Sequence, residues 1–253
     1  MLSVIKAEIK KNFKSGVIVV WILGLMISYI SVGIFKLPET YADLFYKYFG
    51  LAPIMGLIMF MMFSGSFILE YTSNMEGLIK ATENGKKQLV ISKFIASGIS
   101  ASIVNLSILY TIAFKAFSAF KFENLDMPLK ELWYFGNSGS NITVIQMIFI
   151  MTLTIMIGSF FLAAIGLFLS SVSKNAIIPF LLGGGFMAYS YFLEGRGLAK
   201  PSIFNIPIFG MYSSLLVRYN FPLSSWLLFI IMSIIGTGIL YELSKRNFLK
   251  EIQ

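Results

Sequence analysis

The chain has 253 residues, of which 57% are hydrophobic and only 13% are charged, and its mean hydropathy is +0.80. A soluble domain carries about 25% charged residues, so this composition excludes an ordinary soluble protein and indicates helices that span a membrane. The formal net charge of +8 indicates basic residues at the ends of spans, facing anionic headgroups, rather than nucleic-acid binding. The chain has no cysteine and no histidine, which excludes disulfides, thiolate chemistry and the commonest general base.

Residues 1–15 predict an amphipathic helix that lies in the membrane interface. Its apolar face has a residue at every third or fourth position: Leu2, Ile5, Ile9 and Phe13. A row of lysines lies beside that face: Lys6, Lys10 and Lys14. A signal peptide is the alternative, but the apolar run that follows is about 20 residues long and lacks a small-residue cleavage site. We therefore expect this helix to be retained.

Six apolar runs predict six membrane-spanning helices, and the fold class is all-α integral membrane in one permease-like domain, 1–253. The predicted spans are about 16–35, 51–69, 94–117, 144–169, 176–192 and 224–241. The segment KLPETYADLFYKYFG before the second span starts a helix near Pro38, and its aromatic residues suit an interfacial belt. Short apolar pieces between the fifth and sixth spans predict re-entrant or interface-lying helices at the outer mouth. An even number of spans places both termini on one side, and the excess of basic residues makes that side cytoplasmic.

Polar and small residues within the spans are candidates for helix packing or for a substrate path. Asn105 lies in the middle of the third span, so we expect it to bond a neighbouring helix, with a substrate contact as the alternative. Gln146 lies near the start of the fourth span. Gly183, Gly184 and Gly185 in the fifth span suit either a flexible hinge or a point of close packing.

The longest strongly polar segment between two apolar runs is Glu70–Lys93. Ser73 and Glu76 form a capping box, and Asn84-Gly85 predicts a stop, so an amphipathic helix of about ten residues is expected. Its apolar positions have helical spacing: Met75, Leu78, Ile79 and Thr82. These residues alone fit equally a docking element for a soluble partner and an ordinary surface helix on lipid headgroups. The lysines that follow place the segment on the cytoplasmic side.

The sequence offers no energy source of its own. It contains no GxxxxGK[ST] phosphate loop, and the lack of histidine argues against metalloprotease chemistry. We found no serine-nucleophile elbow with a base partner. The predicted span centres carry no Asp, Glu, Lys or Arg, which an ion-coupled carrier would usually place there. We therefore expect no metal site and no cofactor in this chain, and an energy source in a partner.

The order of these parts resembles that of ABC-2-type permeases, the membrane subunits of ATP-binding cassette exporters. The resemblance covers essentially the whole chain: the basic N-terminal helix, six spans, Glu70 closing the second span, the segment SNMEGLIKATENGKKQLVISK and the breaker-rich outer link. It is most specific over Glu70–Lys93, where the family has an acidic residue, a short helix, a glycine, basic residues and a lysine at the start of the next span.

The resemblance implies that Ser73–Glu83 is a coupling helix that docks into a groove on a cytoplasmic ATPase, with the N-terminal helix supporting that interface. The implied coupling residues are Glu70, Ser73, Met75, Glu76, Leu78, Ile79, Lys80 and Glu83. It also implies that the partner ATPase binds ATP and Mg, that a second permease subunit completes a homo- or heterodimer, and that the protein lies in the bacterial plasma membrane.

The chain departs from the commoner family pattern at Asn84-Gly85-Lys86-Lys87, where many members have a Pro-Arg type turn. This variant resembles permeases of low-GC Gram-positive bacteria that export or resist antimicrobial or amphipathic peptides, such as exporters of phenol-soluble modulins. Other functions stay open at this point: a self-immunity or lipid-efflux permease, a standalone channel or structural membrane protein, and a membrane enzyme. An enzyme would need a cluster such as Glu70 with Asn105 or Gln146 in a closed cavity.

Overall fold

The computed structural model describes residues 1–72, 85–173, 175–197 and 206–250. Over these residues the regular structure is helical, and β-type pairing is limited to an isolated bridge between Pro128 and Thr143. The helices are α1 (Leu2–Asn12), α2 (Ser15–Ser31), α3 (Leu37–Gly50), α4 (Ala52–Phe63), α5 (Ile68–Thr72), α6 (Gly85–Ala119), α7 (Val144–Val172), α8 (Ile177–Gly195), α9 (Ile206–Met211), α10 (Ser214–Arg218) and α11 (Leu223–Lys250). The predicted all-helical class is confirmed for this part of the chain.

Five helical stretches in the described ranges are long and apolar enough to cross a membrane. They are Leu37–Glu70, Lys87–Ala119, Val144–Val172, Ile177–Gly195 and Leu223–Phe248. A sixth is reached only if α1 and α2 together count as one bent span. Helix α2 has 17 residues and ends at Ser31, short of the predicted end near 35, so at about 1.5 Å per residue it is about 26 Å long. That length is slightly less than a hydrocarbon core of about 30 Å.

Helices α1 and α2 are separate and meet at an angle of 69°. The backbone leaves the helical conformation at Phe13 and is extended at Lys14. The ring of Phe13 stacks on Trp21 of α2, with the ring centroids 5.3 Å apart. An N-terminal helix set off from the first apolar helix is therefore present, as the sequence predicted, with the bend fastened by an aromatic pair.

Helix α3 extends the second apolar stretch well before the predicted start near 51. Pro38 lies in its first turn, as predicted, and the stretch then runs from Leu37 to Glu70. The expected interfacial belt is wrong, because Tyr41, Phe45 and Tyr48 are completely buried. They pack inside the protein; Phe45, for example, makes an edge-to-face contact with Phe135 at 5.1 Å. Apart from Tyr46, which is exposed, the aromatic residues of α3 therefore belong to the core.

Helices α6 and α7 form the centre of the bundle. α1, α2 and α3 pack on α6, while α9 and α11 pack on α7. The two helices approach closely at Gly98, where an added Cβ would collide with the ring of Phe160 on α7. Gly85, predicted to stop the preceding helix, instead begins α6, which therefore starts nine residues before the predicted span.

Helices α9 and α10 reach the middle of α7. A Cβ at Gly158, the midpoint of α7, would lie 2.6 Å from Cβ of Met211. Thr154 of α7 also donates a 2.9 Å hydrogen bond to the hydroxyl of Ser213. Both short helices are buried, apart from the half-buried end at Arg218. Both short helices therefore pack inside the bundle, and the choice between a re-entrant and an interface-lying arrangement stays a prediction.

Candidate functional site

Glu8, Glu70 and Lys93 form a buried ion-pair cluster where α1, α5 and α6 meet. Lys93 Nζ lies 2.8 Å from Glu8 Oε2 and 3.0 Å from Glu70 Oε1. Its third hydrogen bond goes to the carbonyl oxygen of Ser66 at 3.0 Å. The three charged residues are 1–4% exposed. Since an ammonium group has three hydrogens to donate, every donor of Lys93 has an acceptor, which is what makes a fully buried lysine tolerable.

Lys11 closes this cluster into a ring of four alternating charges. Its Nζ lies 2.8 Å from Glu8 Oε1 and 2.9 Å from Glu70 Oε1, and the side chain is half exposed. Partial burial lowers the pKa of Lys11, but the hydrogen bonds and charges of Glu8 and Glu70 outweigh that effect, so the pKa is raised overall. The ring of Glu8, Lys11, Glu70 and Lys93, which we call the charge ring, therefore carries no net charge.

Asn12 fastens α1 beside the charge ring. Its Nδ2 lies 3.2 Å from the hydroxyl of Ser100 and 3.4 Å from that of Ser97, both on α6. The face of α1 turned towards the protein thus carries Ile5, Glu8 and Asn12, all of them buried. The predicted interfacial lysines Lys6, Lys10 and Lys14 are exposed. Leu2, expected on the apolar face, is also exposed, because the polar pairing of Glu8 and Asn12 decides which side faces inward.

A cleft of about 300 Å³ opens beside the charge ring. Its wall is completed by Asn12, Lys14, Met62 and Leu69. Lys14 is the one member of the described wall that carries a charge outside the ring. Its pKa is lowered by partial burial and by the nearby charge of Lys93.

The arrangement is suited to fastening helices to one another. Each charge of the ring faces an opposite charge, so the ring offers no unpaired general base or nucleophile. The described residues contain no group of three or more His, Cys, Asp or Glu side chains that could hold a metal ion. What the ring does is fix three helix ends to one another. The chain between Glu70 and Lys93 leaves from one member of the ring and returns to another.

Most of the residues implied as coupling residues lie outside the described part of the chain. These are Ser73, Met75, Glu76, Leu78, Ile79, Lys80 and Glu83. Glu70 is described, and it is a member of the charge ring. Its buried position at the end of α4–α5 agrees with a role at the base of that segment, but the contacts of the segment itself stay predictions.

Asn105 lies in the core between α4, α6 and α7 and is completely buried. Its Nδ2 donates to Ser159 on α7 at 2.9 Å and lies 3.2 Å from the sulfur of Met59. This is the interhelical bond that its mid-helix position favours. The cleft beside Glu70 is lined by residues of α1, α4, α5 and α6 that do not include Asn105.

Gln146 lies at no packing surface. It is exposed, and its side chain accepts from the backbone N–H of Thr143 at 3.0 Å while Thr143 accepts from the N–H of Gln146. This capping box starts α7. The assignment of Gln146 to helix packing or a substrate path is therefore corrected: its short distance from the helix start makes it a cap.

The three consecutive glycines differ from one another. A Cβ at Gly183 would collide with the ring of Phe60 on α4, whereas Gly184 and Gly185 have no such neighbour within 4 Å. Helix α8 runs unbroken through all three. Gly183 is thus a point of close packing, and the expected hinge does not take the form of a break in the helix.

Sequence reasoning missed Glu8, Lys11 and Asn12 as site residues, and it named Lys93 only as a basic residue after the polar segment. A signal for Glu8 was present, because it is the one acidic residue before Glu39 and lies in a strongly basic helix. A single carboxylate in such a helix indicates a specific partner. Its partner could not be read from the sequence, since Lys93 lies 85 positions later.

A second polar cluster ties α8 to α10 at the other end of α8. Glu194 accepts from Arg218 and from the hydroxyl of Tyr219, both at 3.0 Å. The guanidinium carbon of Arg218 lies 4.5 Å from the ring centre of Tyr134. Burial and the charge of Glu194 raise the pKa of Tyr219 to about 12. This cluster fastens the segment before α7 to α10.

No protein-family model, curated protein or solved structure matches the chain. The class of protein therefore rests on the fold and the site alone. The described residues form an all-helical bundle whose five long apolar helices, or six with the bent pair, are compatible with a multi-pass membrane protein.

Proposed function

We propose that this chain is the membrane-spanning permease subunit of an ATP-binding cassette exporter. It works in the bacterial plasma membrane with separate ATPase subunits that bind ATP and Mg, and with a second permease subunit, identical or related. Both termini and the 73–83 segment face the cytoplasm. The exported substrate is amphipathic, and an amphipathic peptide is the substrate class that the family resemblance favours.

The observation that carries this proposal is the position of the charge ring at the two ends of the polar segment. Glu70 precedes the segment, Lys93 follows it, and their side chains meet at 3.0 Å. Both also pair with α1 through Glu8 and Lys11. The two ends of this segment are paired with each other, so they cannot move apart when the segment is pushed. The segment is therefore a suitable place to receive force.

Force received there has a direct route to the core. Lys93 lies on α6, which extends for 35 residues and packs against α1, α2, α3 and α7. A shift of the α6 end would move the packing against α7 along its length, since packed helices move as rigid bodies. In the proposed cycle, two ATPases close on ATP, push the coupling helices of both subunits, and open a path between the subunits.

Within the segment, we assign Met75, Leu78 and Ile79 to the contact with the ATPase, and Glu76 and Lys80 to its orientation. The test is to purify the tagged full-length chain from the membranes of its native host and to measure co-purified ATPase protein and phosphate release. We expect a Walker-type ATPase to accompany the unchanged chain. The double variant Leu78→Asp, Ile79→Asp should lose most of both signals, because two apolar side chains assigned to the contact become charged.

A matched control is the double variant Ile34→Asp, Phe35→Asp, in which two exposed apolar residues beyond the far end of α2 receive the same change. It should keep both signals. Undiminished ATPase association in the Leu78 and Ile79 variant would refute the coupling assignment. A chain that carries no ATPase at all, yet forms ion-conducting units in planar bilayers, would favour the standalone channel instead.

A further inference from the structure

An apolar groove runs along the surface between α4 and α8, starting at Lys14. It consists of two adjoining pockets of about 420 and 220 Å³ that share Phe180. One side of the groove is formed by residues of α4 at helical spacing, among them Met61, Leu57 and Pro53. The other side is formed by one face of α8: Ile177, Phe180, Gly184, Met187 and Tyr191.

The length of the groove suits a lipid tail. Ile177 and Tyr191 lie about four helical turns apart, which corresponds to about 21 Å at roughly 1.5 Å per residue. One leaflet of a bilayer has a hydrocarbon depth of about 15 Å, half of a core of about 30 Å. An extended acyl chain that enters at the Ile177 end can therefore contact the protein over the full hydrocarbon depth of one leaflet.

Lys14 supplies a positive charge at the start of this groove. It lines both the groove and the cleft beside the charge ring. A Cβ on Gly65 would lie 4.0 Å from Lys14 Nζ and 4.0 Å from the Cβ of Ala176, so the ammonium group lies between the ends of α4 and α8. In the part of the chain that the structure describes, Lys14 forms no ion pair.

The charge ring cannot neutralise Lys14, because its two carboxylates already face two ammonium groups. Burial and the charge of Lys93 lower the pKa of Lys14, so an anion at this position would relieve an unfavourable arrangement.

We propose that the groove binds an anionic phospholipid, with the headgroup phosphate at Lys14 and one acyl chain lying along Phe180 and Gly184 towards Met187. The required chemistry is an anionic head joined to an apolar tail, which the surrounding bilayer itself provides. Lys14 sets the preference for an anionic head, and the α4–α8 surface holds the tail. This inference needs only the membrane placement of the helices and is independent of the ATPase.

The test uses the full chain in detergent with equal amounts of phosphatidylglycerol and phosphatidylcholine, and counts retained lipids by native mass spectrometry. We expect phosphatidylglycerol to be retained preferentially. Lys14→Gln should lower that preference about fivefold, the change expected for loss of one lysine near an anionic surface. Lys10→Gln removes an exposed lysine on the same side of the molecule, outside the groove, and should leave the preference unchanged.

A second pair of variants tests the tail. Gly184→Leu should reduce retention of both lipids, since it fills a groove position that has open space. Gly185→Leu is the matched control, because its added side chain also meets open space but lies outside the groove. Equal retention of both lipids, or an equal effect of Lys14→Gln and Lys10→Gln, would overturn the proposal. So would loss of a dimer in Gly184→Leu with lipid retention intact, which would make the groove a subunit interface.

Discussion

Lys93 Nζ lies 2.8 Å from Oε2 of Glu8, although the two residues are 85 positions apart and both are almost completely buried. This ion pair joins the N-terminal helix to the helix that follows the polar segment. With Glu70 and Lys11 it forms the charge ring. The orientation of α1 therefore follows from one carboxylate that the bundle has to neutralise.

Lys93→Met should destabilise the protein strongly, because it leaves Glu8 and Glu70 with Lys11 as their remaining cation. Removal of one partner of a buried pair typically costs about 3–5 kcal/mol. The free energy of unfolding in detergent, measured by denaturant titration, checks this value. The double variant Lys93→Met, Glu8→Gln should recover much of the loss, since it removes one charge of each sign.

Lys245→Met provides the control, because its pair with Glu242 lies on a more exposed surface. Exposed pairs contribute about 1 kcal/mol or less. Should Lys93→Met cost no more than this control, the charge ring would not be a structural fastener.

Asn105 and Ser159 should be energetically coupled, because their side chains form a 2.9 Å hydrogen bond between α6 and α7. Such bonds within membrane helices average about 0.6 kcal/mol and reach about 1.7 kcal/mol. A double-mutant cycle with Asn105→Ala and Ser159→Ala measures the coupling. The same cycle with Ser213→Ala should give none, since the hydroxyl of Ser213 bonds Thr154 instead.

Gly183→Ala and Gly185→Ala should have opposite effects. The methyl group at Gly183 collides with Phe60, and overpacking of this kind costs about 1–3 kcal/mol. At Gly185 the methyl group meets open space, and the better helix propensity of alanine favours the folded state by up to about 1 kcal/mol. Thermal unfolding of the two purified variants separates them. Equal effects would argue against close packing of α8 on α4.

Arg218→Lys should weaken the second polar cluster. Lysine keeps the charge but loses the flat guanidinium that stacks on Tyr134 while it donates to Glu194. Loss of a partly desolvated cation–π contact costs about 1–2 kcal/mol, to be measured as a lower unfolding temperature. Arg196→Lys changes an exposed arginine near the same end of α8 and should leave that temperature unchanged. A matching drop in both variants would indicate a general effect of arginine rather than this cluster.

The long helices could be predicted from sequence patterns within each segment. Apolar runs located the long helices because each run must satisfy its own backbone and bury its own side chains. The predicted boundaries of these helices were less accurate, because burial by other parts of the chain also decides where a helix begins and ends. Helix α3 has enough Tyr and Phe to suit an interface, yet most of these rings are buried in the core, and no pattern within residues 37–50 could show that.

The site was predicted in part. The segment between Glu70 and Lys93 could be recognised from its polarity and its caps, and Asn105 from the cost of a polar side chain in the middle of an apolar run. The role of Gln146 was wrong, because a capping box is a local feature that outweighed a packing role. The members of the charge ring from α1 were missed, since their partners are distant in the sequence.

Composition and the periodicity within each segment are enough to predict that this protein is helical and apolar enough for a membrane, that residues 1–15 form a separate basic helix, and that a strongly polar segment lies between two apolar runs. Three other features became known from the packed bundle: Glu8 meets Lys93, Gly183 rather than Gly185 touches α4, and α9 reaches the middle of α7. Each of these depends on which side chains can be neutralised or close-packed once all of the helices are together.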